Sequence, residues 1–185
     1  MNRMLHKTDT QLDREKLLII EAQADPKNFE PLYNQYFEDV FRFVYQRLDG
    51  REEASDLTSQ VFQKALVNLK KFRFRGIPFS AWLFRIAINE INTYYTRSKK
   101  SRMVNIETAK LNEIFEESDA ELKEERMTRI TDALKSLNGI DLLLIEMRFF
   151  EGRSFNEIGD IMKITENNAK VRVYRVLDRM KQNIF

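Results

Sequence analysis

From Phe29 to Leu48, apolar and aromatic residues recur at steps of three and four: Phe29, Leu32, Tyr33, Tyr36, Phe37, Val40, Phe41 and Val44. That rhythm places them on one stripe of a helix, where they pack as core against other helices. The stripe begins after Asp25-Pro26, a cap residue followed by a proline suited to a first helical position, and it closes at Asp49-Gly50. Ahead of it, Thr10 to Ala24 sets Leu12, Leu17, Leu18, Ile19 and Ile20 among charged neighbours, so one helix closes as the next opens. Arg51 to Lys70 repeats the pattern, with Ala54, Leu57, Val61, Ala65 and Leu69 on a packing face helped by Phe62 and Leu66. Ser80 to Thr96 contains no breaker and turns Leu83, Ile86, Ala87, Ile91 and Tyr94 inward, leaving Arg85, Asn89, Asn92 and Thr96 on the other side. These segments predict a four-helix bundle.

The bundle's last helix is entered through a loop of unusual chemistry. Between Phe72 and Arg97 lie seven of the chain's aromatic residues (Phe72, Phe74, Phe79, Trp82, Phe84, Tyr94, Tyr95), interleaved with Arg73, Arg75, Arg85 and Arg97. Gly76 and Pro78 break the front of this stretch into a loop. Rings at helical spacing usually fill cores. The local charge argues for more: Lys64 to Arg102 holds ten Lys/Arg against one Glu, a net of +9 in a chain whose total is +2. Cations hold a polyanion, and flat rings stack on unpaired bases.

The polar face of the preceding helix, Asp56, Ser59, Gln60 and Gln63, fits plain solvent exposure or docking on another protein. Both readings stay open on the residues alone.

After Arg102 the character changes. Asn105 to Arg126 carries three Lys/Arg against eight Asp/Glu, with only scattered apolar residues, and reads as an acidic linker, partly disordered or transiently helical. Helical rhythm returns with Ile130, Ala133, Leu134 and Leu137, breaks at Asn138-Gly139, resumes through Phe150 and breaks again at Gly152. Ser154 to Lys181 has the proportions of a helix-turn-helix: a short helix opened by a capping box of Ser154 and Glu157, a turn, and a longer basic helix capped by Thr165. Ala169, Val173, Val176 and Met180 form the inward stripe of the second helix. Glu166, Asn167, Asn168, Lys170, Val171, Arg172 and Arg175 point outward from its first turns, where Asn and Arg can read base edges and Lys170 or Arg175 can hold phosphates.

The fold predicted is all-α: a bundle over 1–102, a linker over 103–125 and a helix-turn-helix domain over 126–185. Catalysis is excluded by what is missing. The one histidine, His6, lies near the chain start, there is no cysteine, and the five glycines form no phosphate-cradling loop. No metal or cofactor is expected. Nor is membrane insertion, since no apolar run reaches spanning length and the start lacks a signal-peptide core, which points to the cytoplasm.

Taken in order, FEPLYNQYFEDVFRFV (29–44), ASDLTSQVFQKA (54–65), FSAWLFRIAIN (79–89) and the helix-turn-helix with RFFEGRSFNEIGDIM (148–162) resemble the successive regions of extracytoplasmic-function sigma factors, the small two-domain class of bacterial transcription initiation factor. The resemblance covers nearly the whole chain. It implies a subunit that binds core RNA polymerase, directs it to two promoter elements and helps open the DNA, with an anti-sigma factor as a candidate further partner. On that model Asp56, Ser59, Gln60 and Gln63 match the surface that docks on the polymerase clamp. The loop carrying Phe72, Arg73, Phe74, Arg75 and Phe79 matches the region that captures an unstacked base of the melted non-template strand in the minus-ten element. Arg85, Asn89, Asn92 and Thr93 fall at that element's upstream edge, and the helix-turn-helix reads the minus-thirty-five element as duplex. The chain departs from the family pattern at Ser55 and Gln60, where acidic residues are common, at Thr93 for aspartate, at Lys163 for glycine, and at Asn167 and Asn168 for small residues. Two other readings remain at this point: a helix-turn-helix regulator that binds duplex operator without polymerase, and a sigma-like protein that occupies polymerase without reading promoters.

Overall fold

The computed structural model describes residues 9–98 and 120–184, whose regular elements are helices and helical turns, with no strand among the described residues. They fall into two compact units, 9–98 in the first and 120–184 in the second. The acidic stretch lies outside the described residues as far as position 119, as do the expected limit at 102 and His6, and the helix that opens at Ala120 takes up its last residues.

The first unit contains α1 (Asp9–Ala24), a 3-10 turn (Pro26–Phe29), α2 (Glu30–Tyr45), α3 (Arg51–Asn68), a second 3-10 turn (Leu69–Lys71) and α4 (Phe79–Ser98). Asp25 starts the first of these turns as expected, its side chain accepting from the Lys27 N–H at 3.0 Å with Pro26 behind it. The core is the stripe read from the sequence: Leu32, Tyr36, Val40 and Val44 from α2, Ala54, Val61 and Ala65 from α3, and Leu83 and Ala87 from α4 are sealed from solvent. Alanines at helix contacts let the backbones approach closely, so each neighbouring helix supplies the bulk. Phe43 and Phe84 add a ring pair at 4.9 Å, and the buried Arg47 guanidinium lies 3.7 Å above the Phe43 ring while donating to the Phe43 carbonyl.

Two expectations about this core need correction. Leu66 does not help the packing face of α3: it is exposed, one residue round from Ala65 and on the solvent side. Tyr33, Phe37 and Phe41 are only half-buried. Spaced four apart with Tyr45, they run as a ladder along the edge of α2, with Phe37 on Phe41 and Phe41 on Tyr45 nearly parallel at 6.1 and 5.8 Å.

The second unit contains α5 (Ala120–Ser136), α6 (Gly139–Ile145), a π-helical turn (Glu146–Phe150), α7 (Phe155–Met162) and α8 (Glu166–Ile184). Its core joins Ile130, Ala133, Leu134, Leu142, Ile145, Val176 and Met180. Asn138 caps α6, accepting from the N–H groups of Ile140 and Asp141. The capping box is formed: the Glu157 N–H donates to Ser154 Oγ at 3.2 Å, and the Ser154 N–H donates to Glu157 Oε2 at 2.6 Å. Between α7 and α8 the chain passes close to itself, so that a Cβ on Gly159 would sit 2.8 Å from the Ile164 carbonyl oxygen. Only glycine fits there. No described helix is long and apolar enough to cross a membrane.

Candidate nucleic-acid interfaces

The loop from Phe72 to Pro78 joins the second 3-10 turn to α4 and turns at Gly76, whose φ of +74° suits glycine. Arg73 and Arg75 are exposed, and Arg73 Nη1 leans back to the carbonyls of Lys70 and Phe72 at 3.2 and 3.4 Å. Phe72 and Phe74 are half-buried. Phe72 stands edge-on to Phe79 at 5.3 Å and packs on Trp82 at 4.8 Å, while Phe79 meets Trp82 at 5.2 Å and Tyr36 at 5.9 Å.

Phe79 is therefore not a DNA-facing ring. Expected in the interface, it is fully buried, wedged beneath Phe72 and Trp82. Its place follows from register: it stands four residues before Leu83, one turn back along the inward stripe of α4.

Beside the loop opens a cavity of about 350 Å³. Phe72, Trp82 and Ile86 form its apolar wall, and Lys64, Asn68, Lys71, Asn89 and Glu90 supply its polar groups. The volume lies at the small end of the range for ligand sites, about 300–1,000 Å³. Rings, amides and charges thus line one space beside the loop. Glu90, the one acid of the basic zone, is nearly buried and receives Lys64 Nζ on both carboxylate oxygens, at 2.6 and 2.7 Å. Lys64, Asn68, Ile86 and Glu90 were not among the residues expected here, and Trp82 stood only in the aromatic run with no role of its own. Lys64, Asn68 and the α4 residues lie on different helices and meet only through packing, although the isolated acid in a run of ten cations was a readable signal.

Along α4, Asn89 and Asn92 are exposed and Arg85 and Thr93 are half-buried. The Thr93 hydroxyl donates to the Asn89 carbonyl at 2.8 Å, so its hydrogen is engaged within the helix and its oxygen remains an acceptor. On α3, Asp56, Ser59, Gln60 and Gln63 are all exposed on one face. Ser59 donates to the Ser55 carbonyl at 3.0 Å. Phe62, one turn on from Ser59, packs edge-on to Tyr33 at 4.8 Å and lies 6.2 Å from Phe37, which sets the aromatic ladder of α2 beside this polar face.

In the second unit Glu166, Asn167, Asn168, Lys170, Val171, Arg172 and Arg175 are all exposed on the first turns of α8. Thr165 Oγ1 accepts from the Asn168 N–H at 3.2 Å, capping the helix, and Asn168 Oδ1 accepts from Arg172 Nε at 3.0 Å. That second bond holds the guanidinium along the helix. Tyr174 was missed: half-exposed on the same outer side, it packs 6.0 Å from Phe155, over which Arg148 lies at 4.5 Å. Arg148 in turn donates to the Arg153 carbonyl at 2.9 Å, and buried Arg153 is paired with Glu151 at 2.5 Å. The start of α7 is thus fixed to the middle of α8 by a tilted ring pair, with one cation over Phe155.

An open, ring-walled cavity on a basic bundle and a helix-turn-helix with a polar outer face occur here in one chain. Residues 32–101 match Sigma-70 region 2, and residues 133–182 match Sigma-70, region 4. The chain belongs to the sigma-70 family of transcription initiation factors. It is 31% identical over 163 residues to the ECF RNA polymerase sigma factor BldN of Streptomyces coelicolor, a match covering 86% of this chain and 62% of BldN, so the chain spans about three-fifths of that relative's length. Over 172 residues it is 23% identical to the ECF RNA polymerase sigma factor SigW of Bacillus subtilis, covering 88% of this chain and 91% of SigW. Within its family it is a member of the extracytoplasmic-function group. Among solved structures its fold is similar to that of CnrH in complex with the cytosolic domain of CnrY, with a TM-score of 0.56 at 17% identity, covering 91% of this chain and 95% of that one.

Proposed function

We propose that this chain serves as a promoter-specificity subunit for core RNA polymerase in the cytoplasm, with its first unit acting on melted DNA and its second on duplex. The observation that carries this reading is the cavity beside the basic loop. A base lifted out of a duplex loses a few kcal/mol of stacking and pairing, and stacking on protein rings returns about 1–3 kcal/mol per base. Phe72 and Trp82 supply such a surface, exposed Arg73 and Arg75 supply phosphate contacts, and Lys64, Asn68, Asn89 and Glu90 supply groups that distinguish base edges. Asn89, Asn92, Thr93 and Arg85 continue the contact along α4, upstream of the captured base.

The exposed polar face of α3 is the proposed docking surface for the polymerase clamp, and the half-buried ladder of Tyr33, Phe37 and Phe41 extends it with apolar area. In the second unit, the outer face of α8 reads the upstream promoter element in the major groove. RNA synthesis itself belongs to the polymerase, and the chain contributes recognition and strand separation. An anti-sigma factor that withholds the subunit from polymerase is part of the same proposal. An operator-binding regulator would leave the cavity and its loop without a role.

Reconstitution with bacterial core polymerase and selection of transcribed fragments from a random promoter library tests the reading. The expected result is initiation from fragments sharing a two-element motif, and loss of opening in Phe72→Ala. Tight operator binding by the chain alone, unchanged by polymerase, overturns it.

A further inference from the structure

The first helix, α1, lies ahead of the residues that match region 2, yet two of its polar side chains reach the two ends of the loop. At the start of the loop, Gln23 Nε2 donates to the Leu69 carbonyl at 2.8 Å and to the Phe72 carbonyl at 2.9 Å. At its end, Glu15 Oε2 accepts from the Phe79 N–H at 3.1 Å, while Glu15 Oε1 accepts from the Tyr36 hydroxyl. Between the two polar residues Ile19 and Ala22 are buried. The four share the inner side of one rod.

We propose that α1 is a brace that holds the loop in its base-accepting shape, with Gln23 and Glu15 as positioning residues. Glu15 is buried and the Gln23 amide is spent on two loop carbonyls, so each acts through the loop rather than on DNA. Eight residues of helix rise separate them, roughly 12 Å, and that length sets the distance between the two points at which the loop is tied. A loop fixed at both ends to a rigid helix has less freedom to lose when it binds. Glu15 is 2% exposed, and its two side-chain oxygens accept from the Tyr36 hydroxyl and the Phe79 N–H. What it supplies is geometry: its acceptor is directed at the first amide of α4, a donor without a partner inside its own helix. Phe79, the residue carrying that amide, is the ring on which Phe72 and Trp82 rest. The position of the cavity's aromatic wall is therefore tied to α1 through one backbone group.

This inference rests on the cavity being the site of base capture, and its test separates the two ideas. Trp82 is the chain's sole tryptophan and packs on both Phe72 and Phe79, so its emission reports the seating of the loop in the full-length protein without DNA. Gln23→Ala and Glu15→Leu are compared with wild type by acrylamide quenching of Trp82, by circular dichroism, and by promoter opening with core polymerase. Gln23 is half-buried, and its truncation keeps the test available if Glu15→Leu does not fold.

The expected result is greater quenching of Trp82 with unchanged helix content. If freeing the loop cuts its competent fraction to a tenth, opening falls about tenfold, in that same proportion. Binding to duplex minus-thirty-five DNA stays at the wild-type level. A merely structural role would lower helix content or thermal stability and leave quenching of the folded protein unchanged. Wild-type quenching in Gln23→Ala overturns the brace, as does normal opening in that variant when Phe72→Ala abolishes it. If Phe72→Ala itself opens promoters normally, base capture fails, and the quenching still decides whether α1 sets the loop.

Discussion

Lys163 occupies the turn between α7 and α8 with φ +57° and ψ +43°, a left-handed conformation that costs a residue with a Cβ about 1–2 kcal/mol. Lys163→Gly is expected to raise the stability of the second unit by about 0.5–1 kcal/mol, less than the full strain because glycine also gains freedom when unfolded. Urea denaturation followed by circular dichroism measures it. The Lys64–Glu90 pair gives an asymmetric expectation. Lys64→Ala strands a nearly buried carboxylate and should destabilise by about 1–2 kcal/mol, whereas Glu90→Gln leaves a half-exposed ammonium free to turn into water and should cost less. The same denaturation experiment on both variants checks the order. At this scale the sequence was readable where backbone chemistry is local: Asp25, Ser154, Glu157 and Thr165 cap as their spacing says. It was misread where the side of a helix decides. Phe79 was grouped with the loop because of its neighbours, although the inward stripe of α4 extended one turn back would have claimed it. Leu66 was given to a face that Ala65 and Leu69 already filled.

Among the elements, α2, α3 and α4 were legible because three-to-four spacing marks a buried stripe without reference to partners. The cavity was not legible, since its lining comes from α3, a 3-10 turn, the loop and α4, and the sequence states no angle between them. The role of α1 was equally hidden. Its two anchoring residues are ordinary polar positions until the loop is folded against them. The α3 face gives a direct test: Asp56→Arg combined with Gln63→Arg should weaken association with core polymerase by tenfold or more through charge and bulk on the docking surface, with no change in thermal unfolding. Fluorescence anisotropy of labelled protein titrated with core measures it. For α8, removing Lys170 or Arg175 where it holds a phosphate should weaken binding to all duplexes alike and lower the salt slope by about one. A change confined to one promoter position would instead mark a base contact.

Over the whole molecule, charge divides into blocks: +9 over Lys64 to Arg102, an acidic stretch after it, and six Lys/Arg against three Asp/Glu from Asp160 onward. A net charge of +2 conceals this arrangement, and the two basic blocks coincide with the two interfaces proposed above. Neither block alone identifies the chain, since basic helical faces are common. Their order, together with the aromatic loop in the first and the capped turn in the second, carried the resemblance that the region 2 and region 4 matches bear out.

The loop is tied to a helix that precedes the matched region, so the promoter preference proposed for it is not a portable cassette. A chimera that transplants residues 69–98 into a relative, and leaves the recipient's own first helix in place, would carry the donor's rings on a foreign frame. Designers of orthogonal transcription switches would need to move α1 along with them.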